Sequence, residues 1–194
     1  MPWEGAGPPT PKSDDGPEES QLVLRAKDGD ERAFGILVDA HGSVLIGVAH
    51  RMLGDRAEAE DVVQEAFFKA WQRLSQFDGR SAFRTWMYRI VINCCLNALR
   101  RVRPSLVLDV LPEQPTPARH GSPERSAEAN AALRALTETL QELPADQRAC
   151  WVLREWQDLS YEEIADVVGV SREAVRGRIF RARRYLTEAM SAWR

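Results

Sequence analysis

Two stretches of this chain concentrate arginine in a way that suits contact with a polyanion. From Gly79 to Leu108 there is no Asp or Glu, but there are Arg80, Arg84, Arg89, Arg100, Arg101 and Arg103. From Arg172 to Arg184 there are Arg172, Arg176, Arg178, Arg181, Arg183 and Arg184 against a single acid, Glu173. A guanidinium presents a planar fork of donors that fits a phosphate or the edge of a guanine. One such run reads equally well as a solvated helix face. Two runs, each inside an apolar and aromatic pattern, favour nucleic acid. The formal net charge is −3, but phosphates respond to the local patch rather than to the total. The acids gather elsewhere, as in Asp55, Glu58, Glu60, Asp61 and Glu65.

The elements that must position these arginines are helices. Residues 1–19 are rich in Pro, Gly and acids and read as a flexible tail. A short amphipathic helix with Leu22, Val23 and Ala26 ends at Gly29, and Asp30 caps the next, with Ala33, Phe34, Leu37 and Val38 inward. Helical pattern resumes from Ser43 to Leu53, turns at Gly54-Asp55, runs from about Ala57 to Leu74, and returns from about Ser81 to Val102. Residues 104–126 carry Pro104, Pro112, Pro115, Pro117 and Pro123 and read as a linker. Leu106, Val107, Leu108, Val110 and Leu111 give that linker something to dock. Residues 127–194 are helical again, with a Leu133, Leu136, Leu140, Leu143 stripe and a helix opened by Pro144. With no strand pattern of useful length, the expected fold is all-α: two small helical domains, residues 20–103 and 127–194, on a flexible joint.

The second domain contains a helix-turn-helix pattern. Ser160 and Glu163 form a capping box, and Ile164, Ala165 and Val168 face inward. Gly169 takes the turn, Val170 plugs it, and Ser171 caps a second helix with Val175, Ile179, Ala182 and Leu186 inward. Such a second helix enters the major groove with its N-terminal side chains near base edges. Arg172, Glu173 and Arg176 project at that front. Arg172 or Arg176 suits a bidentate contact to guanine, and Glu173 suits cytosine or the orientation of an Arg. Arg178, Arg181, Arg183 and Arg184 are placed as phosphate contacts.

In the first domain the 57–74 helix has two stripes. Val63, Ala66, Phe67, Ala70 and Leu74 make a core face. Asp61, Gln64, Glu65, Phe68 and Gln72 make a mixed acidic, amide and aromatic face that suits a protein partner. The 81–102 helix interleaves Phe83, Trp86 and Tyr88 with Arg84 and Arg89, and ends in Arg100, Arg101 and Arg103. Rings stack on unpaired bases while arginines track the backbone, which suits single-stranded DNA. The spacing of Phe83, Trp86 and Ile90 suits a core role equally. Asn93 needs a partner if buried, and otherwise is free for DNA.

Two long strings resemble extracytoplasmic-function sigma factors, a branch of the sigma-70 family. Asp61-Val62-Val63-Gln64-Glu65-Ala66-Phe67, then Phe83 through Asn93, then Arg100-Arg101 resemble their second conserved region. Leu143-Pro144, then Leu159 through Ala165, then Arg181-Ala182-Arg183 resemble their fourth. The resemblance implies that Asp61, Gln64, Glu65 and Phe68 dock core RNA polymerase. It implies that Arg80, Phe83, Arg84, Trp86, Tyr88, Arg89, Asn93, Arg100 and Arg101 read and open the −10 element of promoter DNA. It implies that Ser171, Arg172, Glu173, Arg176, Arg178, Arg181 and Arg183 serve the −35 element. The linker would thread toward the polymerase's active-site channel. Gly177 departs from the polar residue many members carry there, at a helix-propensity cost of about 1 kcal/mol. An anti-sigma protein is a further partner that the resemblance suggests.

Other classes fit less well. No phosphate-binding glycine loop, metal set or nucleophile-base pair is present, so neither an enzyme nor a cofactor is expected. Cys94, Cys95 and Cys150 lack a CxxC partner and read as buried small hydrophobes in a reducing cytoplasm, the expected location. No run of about 18 apolar residues suggests a membrane span, and the first residues lack the apolar segment of a signal peptide. The competing function is an autonomous helix-turn-helix repressor with a helical ligand or dimerisation domain. It would have no need of the Asp61 face or the aromatic-arginine helix.

Overall fold

A computed structural model describes residues 17–102 and 135–193. The expected linker falls outside the described residues, as does all but the end of the expected tail. Helix α1 spans Pro17–Lys27, α2 Glu31–Leu53, α3 Arg56–Arg73 and α4 Phe83–Val102. Helical residues 135–142 form α5, followed by α6 Ala145–Glu155, α7 Tyr161–Val168 and α8 Arg172–Ala189. No strand occurs among the described residues, so the all-α expectation holds. Helix α1 begins within the segment expected to be tail.

Local chemistry sets the ends. Asp30 accepts from the amides of Arg32 and Ala33 at the start of α2. Gly54 takes a left-handed φ of 83° at its end, and Asp55 caps α3 through the amide of Glu58 at 2.7 Å. Two helices were expected across 30–53, but α2 runs unbroken through Gly35, Gly42 and Gly47. Tertiary packing overrides the weak helix preference of those glycines: Leu37, Leu45, Val48, Ala49 and Met52 are all buried on one side. By length and composition α2 is also long and apolar enough to cross a membrane, a test that a core helix passes equally. Here α1, α3 and α4 pack around it.

The N-terminal core joins Leu37, Met52, Val63, Phe67, Phe83, Met87 and Ile92. The C-terminal core joins Leu140, Leu153, Leu159, Ile164, Val167, Val175 and Ile179. Each such side chain contributes roughly 1.5–3 kcal/mol when fully buried. The two groups also meet, α2 and α4 packing on α6, and α4 on α7. All three cysteines are buried and free, as expected.

Candidate nucleic-acid interface

Helix α8 is held by three local devices. Ser160 Oγ accepts from the Glu163 amide while Glu163 accepts from the Ser160 amide at 2.8 Å, completing the capping box. Gly169 turns the chain at φ 68°, a left-handed conformation in which a side chain would be strained. Ser171 then accepts from the Ala174 amide at the head of α8. Val175, Ile179, Ala182 and Leu186 bury one side of α8. Val167, absent from the sequence reading, is the second deeply buried residue of α7 beside Ile164.

Opposite that buried side lie Glu173, Arg176 and Arg184, all exposed. Arg172 is anchored to Glu162 at 2.7 Å, and that hydrogen bond holds the Glu162 carboxyl below its usual range. Arg176 has neither ion pair nor hydrogen bond among the described residues, so its guanidinium is free for a base edge. Tyr161, Arg172, Glu173 and Arg176 line a shallow concavity of about 340 Å³ at this front.

The remaining arginines divide. Arg178 pairs with Asp146 at 3.1 Å and Arg183 with Glu155 at 2.6 Å. Both tie α8 to α6. Arg181 instead folds back along α8: a Cβ on Gly177 would lie 3.3 Å from its guanidinium. Gly177 therefore leaves room for Arg181 to lie across the exposed side. Phe180 was missed by the sequence reading. It is 66 % exposed, one turn beyond Arg176, and an aromatic face there suits the methyl group of thymine. The signal was its position off the buried stripe.

In the N-terminal group, Asp61, Gln64 and Phe68 are exposed on α3, Phe68 by 62 %. Glu65 is half-buried and pairs with Lys69 at 2.5 Å, which lowers its carboxyl. Lys69 also donates to Cys94 Sγ at 3.4 Å. The face runs from the Asp61 carboxylate through Gln64 and the paired Glu65 to the exposed ring of Phe68.

Helix α4 is more enclosed than its sequence suggests. Phe83 is 1 % exposed and packs against Phe77, Trp86 and His41 at centroid distances of 6.0, 5.8 and 5.5 Å. It is a core ring, and Trp86 is half-buried beside it. Lys27 donates to the Phe77 carbonyl at 2.8 Å, pinning the preceding loop. Arg80 is exposed and held by Asp78 at 2.5 Å. Arg84 is half-buried, its Nε without a partner among the described residues. Tyr88 is buried, donates to Gln157 Oε1 at 2.7 Å, and has its phenol pushed up to about 12 by burial. Arg89 donates through Nε to the Asp166 carbonyl at 3.1 Å. Asn93 is exposed and needs no internal partner. Arg100 and Arg101 are exposed, Arg100 donating to Asn97. Thus Arg80, Asn93, Arg100 and Arg101 face outward, while Phe83 and Tyr88 do not. No cluster of metal-ligating side chains occurs among the described residues.

Residues 37–104 match the family model of sigma-70 region 2, and residues 133–186 that of sigma-70 region 4. The RNA polymerase sigma-H factor of Pseudomonas aeruginosa is 41% identical over 181 residues, covering 89% of this chain and 94% of that protein. The ECF RNA polymerase sigma-E factor of Escherichia coli is 38% identical over 170 residues, covering 84% and 88%. Among solved structures, CnrH in complex with the cytosolic domain of CnrY aligns with a TM-score of 0.68 at 31% identity, covering 90% and 98%. The sigma factor RpoE of Bartonella quintana, in complex with the anti-sigma factor NepR, aligns at 0.67 and 26% identity, covering 83% and 98%. With both regions matched in order over a bundle and a helix-turn-helix, the chain belongs to the extracytoplasmic-function sigma factors of the sigma-70 family, which direct RNA polymerase to promoters.

Proposed function

We propose that the labour of initiation is divided among three faces of this chain. Asp61, Gln64, Glu65 and Phe68 dock core RNA polymerase. Arg80, Arg84, Trp86, Tyr88, Arg89, Asn93, Arg100 and Arg101 serve the −10 element, with Phe83 holding the aromatic cluster beneath them. Ser171, Arg172, Glu173 and Arg176 read the −35 element, with Phe180 beside them and Arg181 on phosphate. Arg178 and Arg183 act through position, by fixing α8 on α6.

The observation that carries this reading is the α3 face, where Asp61, Gln64 and Phe68 are exposed together in a chain that also carries two arginine-rich helices. It supports a protein partner as well as DNA, which an autonomous repressor would not require. The work takes place in the cytoplasm and involves no catalysis by the chain itself. The Bartonella structure holds an anti-sigma factor, and by that likeness an inhibitor of the same kind is a partner here.

Run-off transcription tests the reading. Purified core polymerase with this chain starts at a specific promoter, and Asp61→Ala with Phe68→Ala removes that start while binding to a −35 duplex persists. Unchanged transcription by the double variant contradicts the docking assignment.

A further inference from the structure

Glycine is among the poorest helix formers, yet Gly177 stands well inside α8. Its surroundings set it apart. Residues three and four apart on a helix are neighbours, and Glu173, Arg176, Phe180, Arg181 and Arg184 are all exposed around it. Gly177 is therefore a gap in the side of α8 assigned above to the −35 duplex.

Arg181 lies in that gap. A Cβ at position 177 would come within 3.3 Å of its Nη1, 3.9 Å of its Nη2 and 4.0 Å of its Cζ. The charge of Arg181 is thus delivered at the level of residue 177. That is one turn, about 5.4 Å, closer to the Arg172–Arg176 front than its own position in the helix. Arg172, Arg178, Arg183 and Arg184 each face a carboxylate, of Glu162, Asp146, Glu155 and Glu188 respectively. Arg176 and Arg181 have no ion pair or hydrogen bond among the described residues.

The same fold-back is found at Gly47, where a Cβ would lie 3.2 Å from Arg51 Nη1. Arg51 uses its position internally. It donates to the Gly47 carbonyl at 2.8 Å, and its guanidinium lies 4.1 Å from the centre of the Trp156 ring. Arg181 has no such internal use. A guanidinium laid over bare backbone, exposed and unpaired, keeps its fork of donors open to an anion.

We propose that Gly177 is a positioning residue for −35 binding: by carrying no side chain it lets Arg181 lie forward on α8 and grip a DNA backbone phosphate beside the bases that Arg176 reads. This rests on the assignment of the exposed side of α8 to the −35 element. A phosphate grip adds affinity and fixes register without adding base preference.

The test titrates holoenzyme against a fluorescent promoter fragment across a salt series, with denaturant unfolding of the free chain alongside. Gly177→Ala is expected to raise the denaturant midpoint, since alanine is the better helix former, and yet to weaken promoter binding about threefold. Arg181→Ala is expected to weaken binding about five- to tenfold at about 0.1 M salt and to lower the salt slope by about one, as loss of one phosphate contact does. Both losses are expected to fall equally on promoters of different −35 sequence. In the Arg181→Ala background, Gly177→Ala is expected to produce no further loss. Unchanged binding by Gly177→Ala overturns the proposal. So does the same threefold loss with Arg181 already removed, because the added methyl then meets DNA directly. A salt slope unmoved by Arg181→Ala, or a preference altered at one base, overturns it as well. Failure of the α8 assignment itself is read separately, from Arg176→Ala holoenzyme that binds the promoter as the parent does.

Discussion

Helices α4 and α8 are both rich in arginine, yet they meet their surroundings in opposite ways. Helix α8 buries one apolar stripe and leaves Glu173, Arg176, Phe180 and Arg184 bare. Helix α4 buries Phe83, Met87, Tyr88, Val91 and Ile92, and the partner region holds Arg89. The difference fits the tasks proposed for them. Duplex DNA presents its edges in the major groove, so a reader of duplex needs only a rigid exposed front. Opening a duplex calls for rings and cations that come into use when bases unstack. A helix of that kind carries apolar surface that the free chain covers, and here it is covered.

The contrast can be broken at the bare helix first. Arg176→Ala is expected to weaken binding to a −35 duplex by roughly ten- to a hundredfold, the scale of one bidentate base contact. Fluorescence anisotropy at fixed salt measures it. Arg178→Ala, whose side chain is engaged by Asp146, should weaken it far less. Next, Asp61→Ala with Phe68→Ala is expected to weaken core polymerase binding by about tenfold, as truncation of interface anchors does. Surface plasmon resonance reports it, with the melting temperature unchanged because both side chains are exposed. Phe180→Ala should cost about threefold and relax preference for thymine at one position only, in a selection from randomised −35 duplexes.

A smaller effect concerns support rather than contact. Ser160→Ala removes the acceptor for the Glu163 amide and is expected to destabilise the helix-turn-helix by about 1 kcal/mol. Denaturant titration measures that loss while the base preference stays fixed. The smallest expected effect is on the thiols. Burial raises all three cysteines, Cys95 to about 12, so they remain neutral thiols at pH 8 and present little of the reactive thiolate. A maleimide reagent should label none of them until the chain is unfolded.

Much of this was legible in the residues. Ser160, Glu163, Gly169 and Ser171 act within a few positions of themselves, so their capping and turning roles follow from local chemistry. The buried stripe of α8 follows from helical spacing in the same way. What could not be read locally involves partners far along the chain. Gln157 is 69 positions from Tyr88, and Asp166 is 77 from Arg89, so nothing near α4 foretells that these two side chains are engaged. The pairing of Arg178 and Arg183 with α6 was hidden for the same reason, and an arginine run looks uniform until its counter-ions are placed. The unbroken α2 illustrates packing winning over glycine propensity. Phe83 shows an aromatic whose spacing suited both core and DNA, and the structure puts it in the core.

The most direct test is site-specific photo-crosslinking from positions 89 and 180 in holoenzyme on a promoter it transcribes. Position 180 is expected to reach the −35 duplex and position 89 the −10 non-template strand. Crosslinks from position 89 to the −35 duplex, or from position 180 to the −10 strand, would contradict the division of labour between α4 and α8.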